Sequence, residues 1–131
     1  MTKITTRKGY LASYYFLDWI YLSVKKNDGN IAQLLGDMNP FFPWKDAMSA
    51  DPGTWFEWLD CADSVTPGVK ANAAPENFQI HPDAAYETLK TFLMLYDDRD
   101  LYHTKWLIKA LKKDPAMREK WNEFLSKQIA D

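Results

Sequence analysis

The sequence predicts an all-α protein, with about six helices arranged as two quasi-repeated three-helix units packed into one bundle. Apolar residues recur at spacings of three and four along most of the chain, which is the period of a helix with one buried face. A sustained alternation of apolar and polar residues, typical of strands, is absent. The length of 131 residues suits a single domain that spans residues 1–131.

The first half of the chain, residues 4–63, carries three predicted helices. They cover residues 5–26, 30–38 and 52–63. Thr5 or Thr6 can cap the first helix, because a short hydroxyl side chain satisfies an amide of the opening turn. Asp51 followed by Pro52 indicates the start of the third helix, since proline is tolerated at the first helical position.

A linker separates the two halves. Residues 64–79 contain the stretches STP and PGVKANAAPEN and show little periodicity, which is typical of a linker. The helical pattern resumes in residues 80–131. Predicted helices there cover residues 82–96, 101–112 and 115–129. Asp114 followed by Pro115 repeats the Asp-Pro start seen in the first half.

The two halves align with each other. The aligned pairs are Ile4 with Ile80, Tyr10 with Tyr86, Met38 with Leu111, and Trp58 with Trp121. The offset is 76 at the first helices, 73 at the second and 63 at the third, so the first half carries about ten extra residues between its second and third helices, which contain the stretch NPFFPW. If the repeat is real, each unit is too small to bury its apolar face alone. Two unrelated three-helix hairpins with similar burial needs are the alternative.

Few residues carry the chemistry of a catalytic or metal site. His81 and His103 are the two histidines, and Cys61 is the one cysteine. A metal site needs several such ligands at short spacing. The sequence also lacks a glycine-rich phosphate loop and a G-x-S-x-G nucleophile motif. It therefore predicts no metal, no cofactor and no enzymatic activity.

Charge and hydropathy argue against nucleic acids and membranes as partners. The net charge is −2, and the lysine stripe of residues 105, 109 and 112 lies in a half with equally many acidic residues, so a solvated face is the simpler interpretation. Tyrosine and aspartate interrupt the apolar stretch after the basic N-terminus, and no apolar run approaches the ~20 residues of a spanning helix. We expect a cytoplasmic protein.

Motifs in the first half resemble one protein family. They are Leu34-Leu35-x-x-Met38 and Asp51-Pro52-x-x-Trp55-x-x-Trp58-Leu59. This pattern is similar to that of small helical immunity proteins encoded beside bacterial polymorphic or contact-dependent toxins. The resemblance implies a non-catalytic protein that binds and neutralises the C-terminal domain of a cognate toxin. The alternative is a helical adaptor or regulatory protein that binds a peptide or a partner helix in the groove between the halves.

The NPFFPW segment is the candidate partner-binding element. Two prolines exclude the interior of a helix or strand, so the three rings lie on a loop. We predict Phe41, Phe42 and Trp44 as anchors, because aromatic residues dominate interface hot spots. Acidic residues that suit a basic partner form the predicted rim: Asp37, Asp46, Asp60 and Asp63. Alternatively, the loop caps the core of its own half.

Overall fold

The computed structural model describes residues 3–45, 47–66 and 78–130, which are mostly helical, and it confirms the predicted all-α fold. Its elements in chain order are β1 (Ile4–Thr5), α1 (Thr6–Trp19), a π-helical turn (Ile20–Val24), α2 (Gly29–Met38), α3 (Pro52–Val65), β2 (Gln79–Ile80), α4 (Pro82–Asp98), α5 (Lys105–Lys113) and α6 (Pro115–Ala130). Within this part of the chain, none of the helices combines the length and the apolar character needed to cross a bilayer.

Short polar side chains cap the starts of most helices. The capping residues are Thr5, Asp28, Asp51, His81 and Asp114, and each accepts a hydrogen bond from a backbone amide two or three residues further on, at 3.0–3.2 Å. These bonds satisfy amides that the first helical turn leaves without a partner. Proline occupies the first helical position after three of these caps.

Several boundaries differ from the prediction. The first α-helix ends at Trp19 and continues as a π-helical turn, in which the amide of Lys25 donates to the carbonyl of Ile20 at 2.9 Å. The predicted linker is too long at both ends, because α3 continues to Val65 and Phe78 is buried. Residues 67–77 of that linker lie outside the described residues. The fifth helix begins at Lys105 rather than at residue 101.

A two-stranded antiparallel pair joins the starts of the two halves, which the sequence did not predict. Ile4 lies opposite Ile80, and Thr5 lies opposite Gln79. Strands of two residues are too short to show an alternating pattern. The pair brings the aligned residues Ile4 and Ile80 side by side.

The third helix of each half packs against the first helix of the other half. The α1–α6 and α3–α4 contacts are the most extensive in the molecule. Helices α1 and α4 cross at Gly9 and Ala85, which occupy aligned positions; a Cβ atom on Gly9 would lie 3.1 Å from the Cβ of Ala85. The core is therefore built between the halves.

Aligned residues make the same contacts in both halves. The hydroxyl of Tyr10 donates to the carbonyl of Met38 at 2.5 Å, and that of Tyr86 donates to the carbonyl of Leu111 at 3.0 Å. Each tyrosine also packs edge to face against a buried tryptophan of its own half, with ring centroids 5.6 Å and 5.3 Å apart. The correspondence therefore includes the two tyrosine hydroxyls.

Candidate protein-binding surface

The described residues of the loop between α2 and α3, 39–45 and 47–51, include several with hydrogen-bonded backbone groups. The side chain of Asn39 accepts from the amide of Phe41 at 2.9 Å, which forms a local turn. The amide of Trp44 donates to the carbonyl of Ser49 at 3.0 Å, and the carbonyl of Trp44 accepts from Ala47 at 2.9 Å. The aromatic part of the loop is thus held in place by its own backbone.

The three predicted anchors lie in solvent. Phe41 is 62% exposed, Phe42 is 76% exposed and Trp44 is 56% exposed. The later part of the loop covers the core instead, because Ala47 and Ser49 are buried. The hydroxyl of Ser49 accepts from the amide of Trp55 at 3.0 Å and donates to the carbonyl of Asp51, which ties the loop to α3. The three rings therefore lie outside the core.

Two tyrosines of α1 extend the aromatic surface. The ring centroid of Phe41 lies 6.3 Å from that of Tyr14 and 6.4 Å from that of Tyr15. Both tyrosines are half-buried. The sequence did not predict the contact of these tyrosines with the loop. Adjacent aromatic residues on one helix do signal the margin of a core, because they point in directions 100° apart.

Three of the four predicted rim residues lie on helices α2 and α3. Asp37 is half-buried and accepts a hydrogen bond from the hydroxyl of Tyr102, and burial together with nearby Asp51 raises the pKa of its carboxyl group. Its carboxylate thus joins α2 to the segment before α5. Asp60 is exposed on α3, and Asp63 is half-buried further along the same helix. Asp46 lies outside the described residues.

A groove lies along α4, and the sequence did not predict its lining residues. It consists of two open depressions of about 360 Å³ and 370 Å³ that share Met94 and Asp98. Glu57 and Asp60 of α3 line one side, and four lysines of α5 line the other. We call this feature the α4 groove. The described residues that line it include none of the three loop anchors, so the loop and the groove are separate surfaces.

The histidines and the cysteine have structural surroundings. The Nδ1 atom of His81 caps α4, and His103 lies within 3.1 Å of Asp100. Cys61 is buried, and burial, together with the charges of Asp60 and Glu57, raises the pKa of its thiol to about 12. The thiol is therefore protonated at neutral pH, which makes it a poor nucleophile. Within residues 3–45, 47–66 and 78–130, no group of three or more metal-binding side chains is assembled.

Comparison with known proteins finds no matching family model, no matching curated protein and no matching solved structure. The exposed loop and the α4 groove are therefore the observations from which a function can be inferred.

Proposed function

We propose that this chain is a protein-binding immunity protein, which neutralises a cognate bacterial toxin domain by covering it with the α2–α3 loop. The observation that carries the proposal is the exposure of Phe41, Phe42 and Trp44 on a loop whose backbone is already hydrogen-bonded. The Leu-Leu-x-x-Met and Asp-Pro-x-x-Trp motifs, which resemble immunity proteins, support the choice of partner.

The exposed rings suit a hot spot of binding energy. Each buries apolar area on association, and burial contributes roughly 25 cal/mol per Å² before the costs of association are subtracted. Trp44 is the strongest candidate, because tryptophan is enriched in interface hot spots. The loop also loses little backbone entropy on binding, since the bonds between Trp44, Ala47 and Ser49 hold it before the partner arrives.

Electrostatic attraction supplies the second part of the proposal. Acidic residues near the loop would favour a basic toxin surface and accelerate encounter. Asp37 is expected to contribute least, because its carboxylate already accepts the Tyr102 hydroxyl. Asp60 and Asp63 lie on α3 and would act over a longer range than the rings.

The proposal predicts that the loop rings determine affinity without determining stability. The Phe42→Ala/Trp44→Ala variant is expected to keep its free energy of unfolding within ~0.5 kcal/mol, because both rings are exposed. Its affinity for the toxin domain encoded immediately beside the gene should fall by about 30-fold or more, as for hot-spot residues. Denaturant unfolding and titration calorimetry measure the two quantities, and growth of cells expressing the toxin domain measures protection.

A matched control uses exposed apolar residues elsewhere. Leu22 and Val24, in the π-helical turn, are 58% and 44% exposed, and replacing both with alanine should leave affinity and protection unchanged. The proposal is wrong if the loop variant loses 3–5 kcal/mol of stability while the remaining folded protein binds with unchanged affinity, since that result describes core residues.

The second candidate function is a helical adaptor or regulatory protein that binds a peptide or partner helix. The α4 groove favours it, because this groove lies along the contact between the two halves. An adaptor would give no growth protection against a neighbouring toxin. Protection by the unmodified chain, lost with the loop variant, therefore separates the two functions.

A further inference from the structure

The α4 groove is long enough to hold a short helix. Its lining residues on α4 run from Thr91 to Asp98, about 10 Å along the helix axis at 1.5 Å per residue. Met94 lies in both depressions and is 39% exposed. A methionine at this place offers a flexible, apolar surface that adapts to different side chains.

The two walls of the groove carry opposite charge. Glu57 and Asp60 of α3 form an acidic wall, and lysines of α5 form a basic wall: Lys105, Lys109, Lys112 and Lys113. The acidic wall is partly neutralised inside the chain, because Nη1 of Arg99 lies 3.0 Å from Oε1 of Glu57. Asp97 and Asp98 of α4 line the same depression as these lysines. Lys105 lies 3.8 Å from Asp97, whereas Lys109 and Lys112 form no ion pair with a carboxylate of the described residues.

Helix stability does not account for this row of lysines. Cations favour the last turn of a helix, which explains Lys112 and Lys113. Lys105 is the first residue of α5, where a cation opposes the helix dipole, and Lys109 lies in the middle. Residues 105, 109 and 112 share one face at helical spacing, and all three line the groove.

We propose that the α4 groove docks an amphipathic helix of a partner protein, with the apolar stripe of that helix on Met94 and an acidic flank facing Lys105, Lys109 and Lys112. Charge complementarity selects this occupant, since Lys109 and Lys112 form no ion pair with a carboxylate of the described residues. The binding mode is an amphipathic helix in a groove, anchored at intervals of three and four residues. The site is distinct from the aromatic loop, so it stands whether or not the loop binds a toxin.

The experiment uses two designed probe helices and the full-length chain. One peptide carries a leucine stripe flanked by glutamates, and its counterpart carries lysines at the glutamate positions. Fluorescence anisotropy at low and physiological salt measures both affinities. The glutamate peptide is expected to bind saturably and at least tenfold more tightly than the lysine peptide, with the difference shrinking as salt increases. Met94→Asp should weaken binding of the glutamate peptide at least tenfold.

Charge reversal provides the sharper test. Lys109→Glu/Lys112→Glu should reverse the preference, so that the lysine peptide binds more tightly, and an unfolded variant cannot produce such a reversal. Lys26→Glu, on an exposed residue away from the groove, should change nothing. Phe42→Ala/Trp44→Ala should retain peptide binding, which separates this site from the proposed toxin interface.

Three results would overturn the proposal. The first is equal affinity for both peptides, or binding that does not saturate. The second is a preference unchanged by Lys109→Glu/Lys112→Glu, which would place the acidic flank elsewhere. The third is a single-stranded oligonucleotide that displaces the glutamate peptide and binds more tightly, which would make the lysine row a nucleic-acid surface.

Discussion

The two buried tryptophans that align between the halves differ in one hydrogen bond. The Nε1 group of Trp121 donates to the hydroxyl of Ser13 at 3.2 Å, whereas the Nε1 group of Trp58 has no partner among the described residues. The position of α4 that aligns with Ser13 is Leu89, which is apolar and buried. Both indoles are thus buried at aligned positions, but Trp58 lacks an acceptor like the one that Ser13 provides for Trp121.

Replacing Ser13 should leave the Nε1 donor of Trp121 without an acceptor, as the Nε1 donor of Trp58 is among the described residues. Ser13→Ala is expected to lower the free energy of unfolding by about 1–3 kcal/mol, because a buried indole donor loses its partner. In a Trp121→Phe background the same change should cost less, and a double-mutant cycle by urea unfolding measures the difference. Thr88→Val is the control, since the Thr88 hydroxyl bonds only to the carbonyl of Ala84 among described groups. Equal costs in both backgrounds would contradict the assignment.

The aligned hydroxyls of Tyr10 and Tyr86 both donate hydrogen bonds to backbone carbonyls. Burial raises the pKa of Tyr86 to about 12 and raises that of Tyr10 still further. Both phenols therefore stay protonated and donate to the last turns of α2 and α5. Each bond satisfies a carbonyl that a helix end leaves without an intrahelical partner.

At the scale of elements, the closest approach in the bundle is the crossing of α1 and α4. Gly9 permits it, because a Cβ atom there would lie 3.1 Å from the Cβ of Ala85 and 3.8 Å from Cζ2 of Trp58. The nearest atom belongs to a helix whose other side packs against α3. The Cβ of Ala85 therefore cannot move away without a shift of α4.

Gly9→Ala is expected to destabilise the protein by about 1 kcal/mol, since overpacking outweighs the gain in helix propensity. Adding Ala85→Gly, which is unfavourable for a helix on its own, should restore most of this loss by returning the space for one methyl group. Gly36→Ala on α2 is the control: nothing lies within 4 Å of the added Cβ, so the change should stabilise by ~0.5–1 kcal/mol. Thermal or urea unfolding of the three variants and the wild type measures these differences, and a Gly9→Ala protein more stable than the wild type would refute the tight crossing.

The α2–α3 loop shows how one element can serve two purposes. Its later part, with Ala47 and Ser49, closes the core above α3. Its earlier part holds Phe41, Phe42 and Trp44 in solvent. The insertion that distinguishes the first half is therefore divided between a structural and an exposed segment.

At the scale of the whole molecule, each half completes the other. Helix α6 covers α1, and α3 covers α4, so the third helix of each half is buried against the other half. The expected consequence is that fragments 1–66 and 78–131 have little helical circular dichroism alone, because each would expose a long apolar face. Mixed at equal concentration, they should recover it. A fragment that unfolds cooperatively as a monomer would contradict this interdependence.

The sequence by itself determined the features that depend on neighbouring residues. Asp51-Pro52 and Asp114-Pro115 mark helix starts because capping needs only a side chain and the amides of one turn. The proline-rich NPFFPW segment was correctly predicted as a loop for the same local reason. Alignment of Tyr10 with Tyr86 identified residues that turn out to make equivalent hydrogen bonds.

Only the tertiary structure decided which surfaces meet. Helical periodicity shows that α3 has an apolar face, but that face is equally satisfied by any apolar partner, and the structure covers it with α4. Prolines exclude a helix around Phe42, but they do not fix the direction of its ring. In the structure Ala47 and Ser49 are buried and the Phe42 ring is exposed to solvent. The α4 groove is assembled from residues of three different helices, so no pattern within one helix could reveal it.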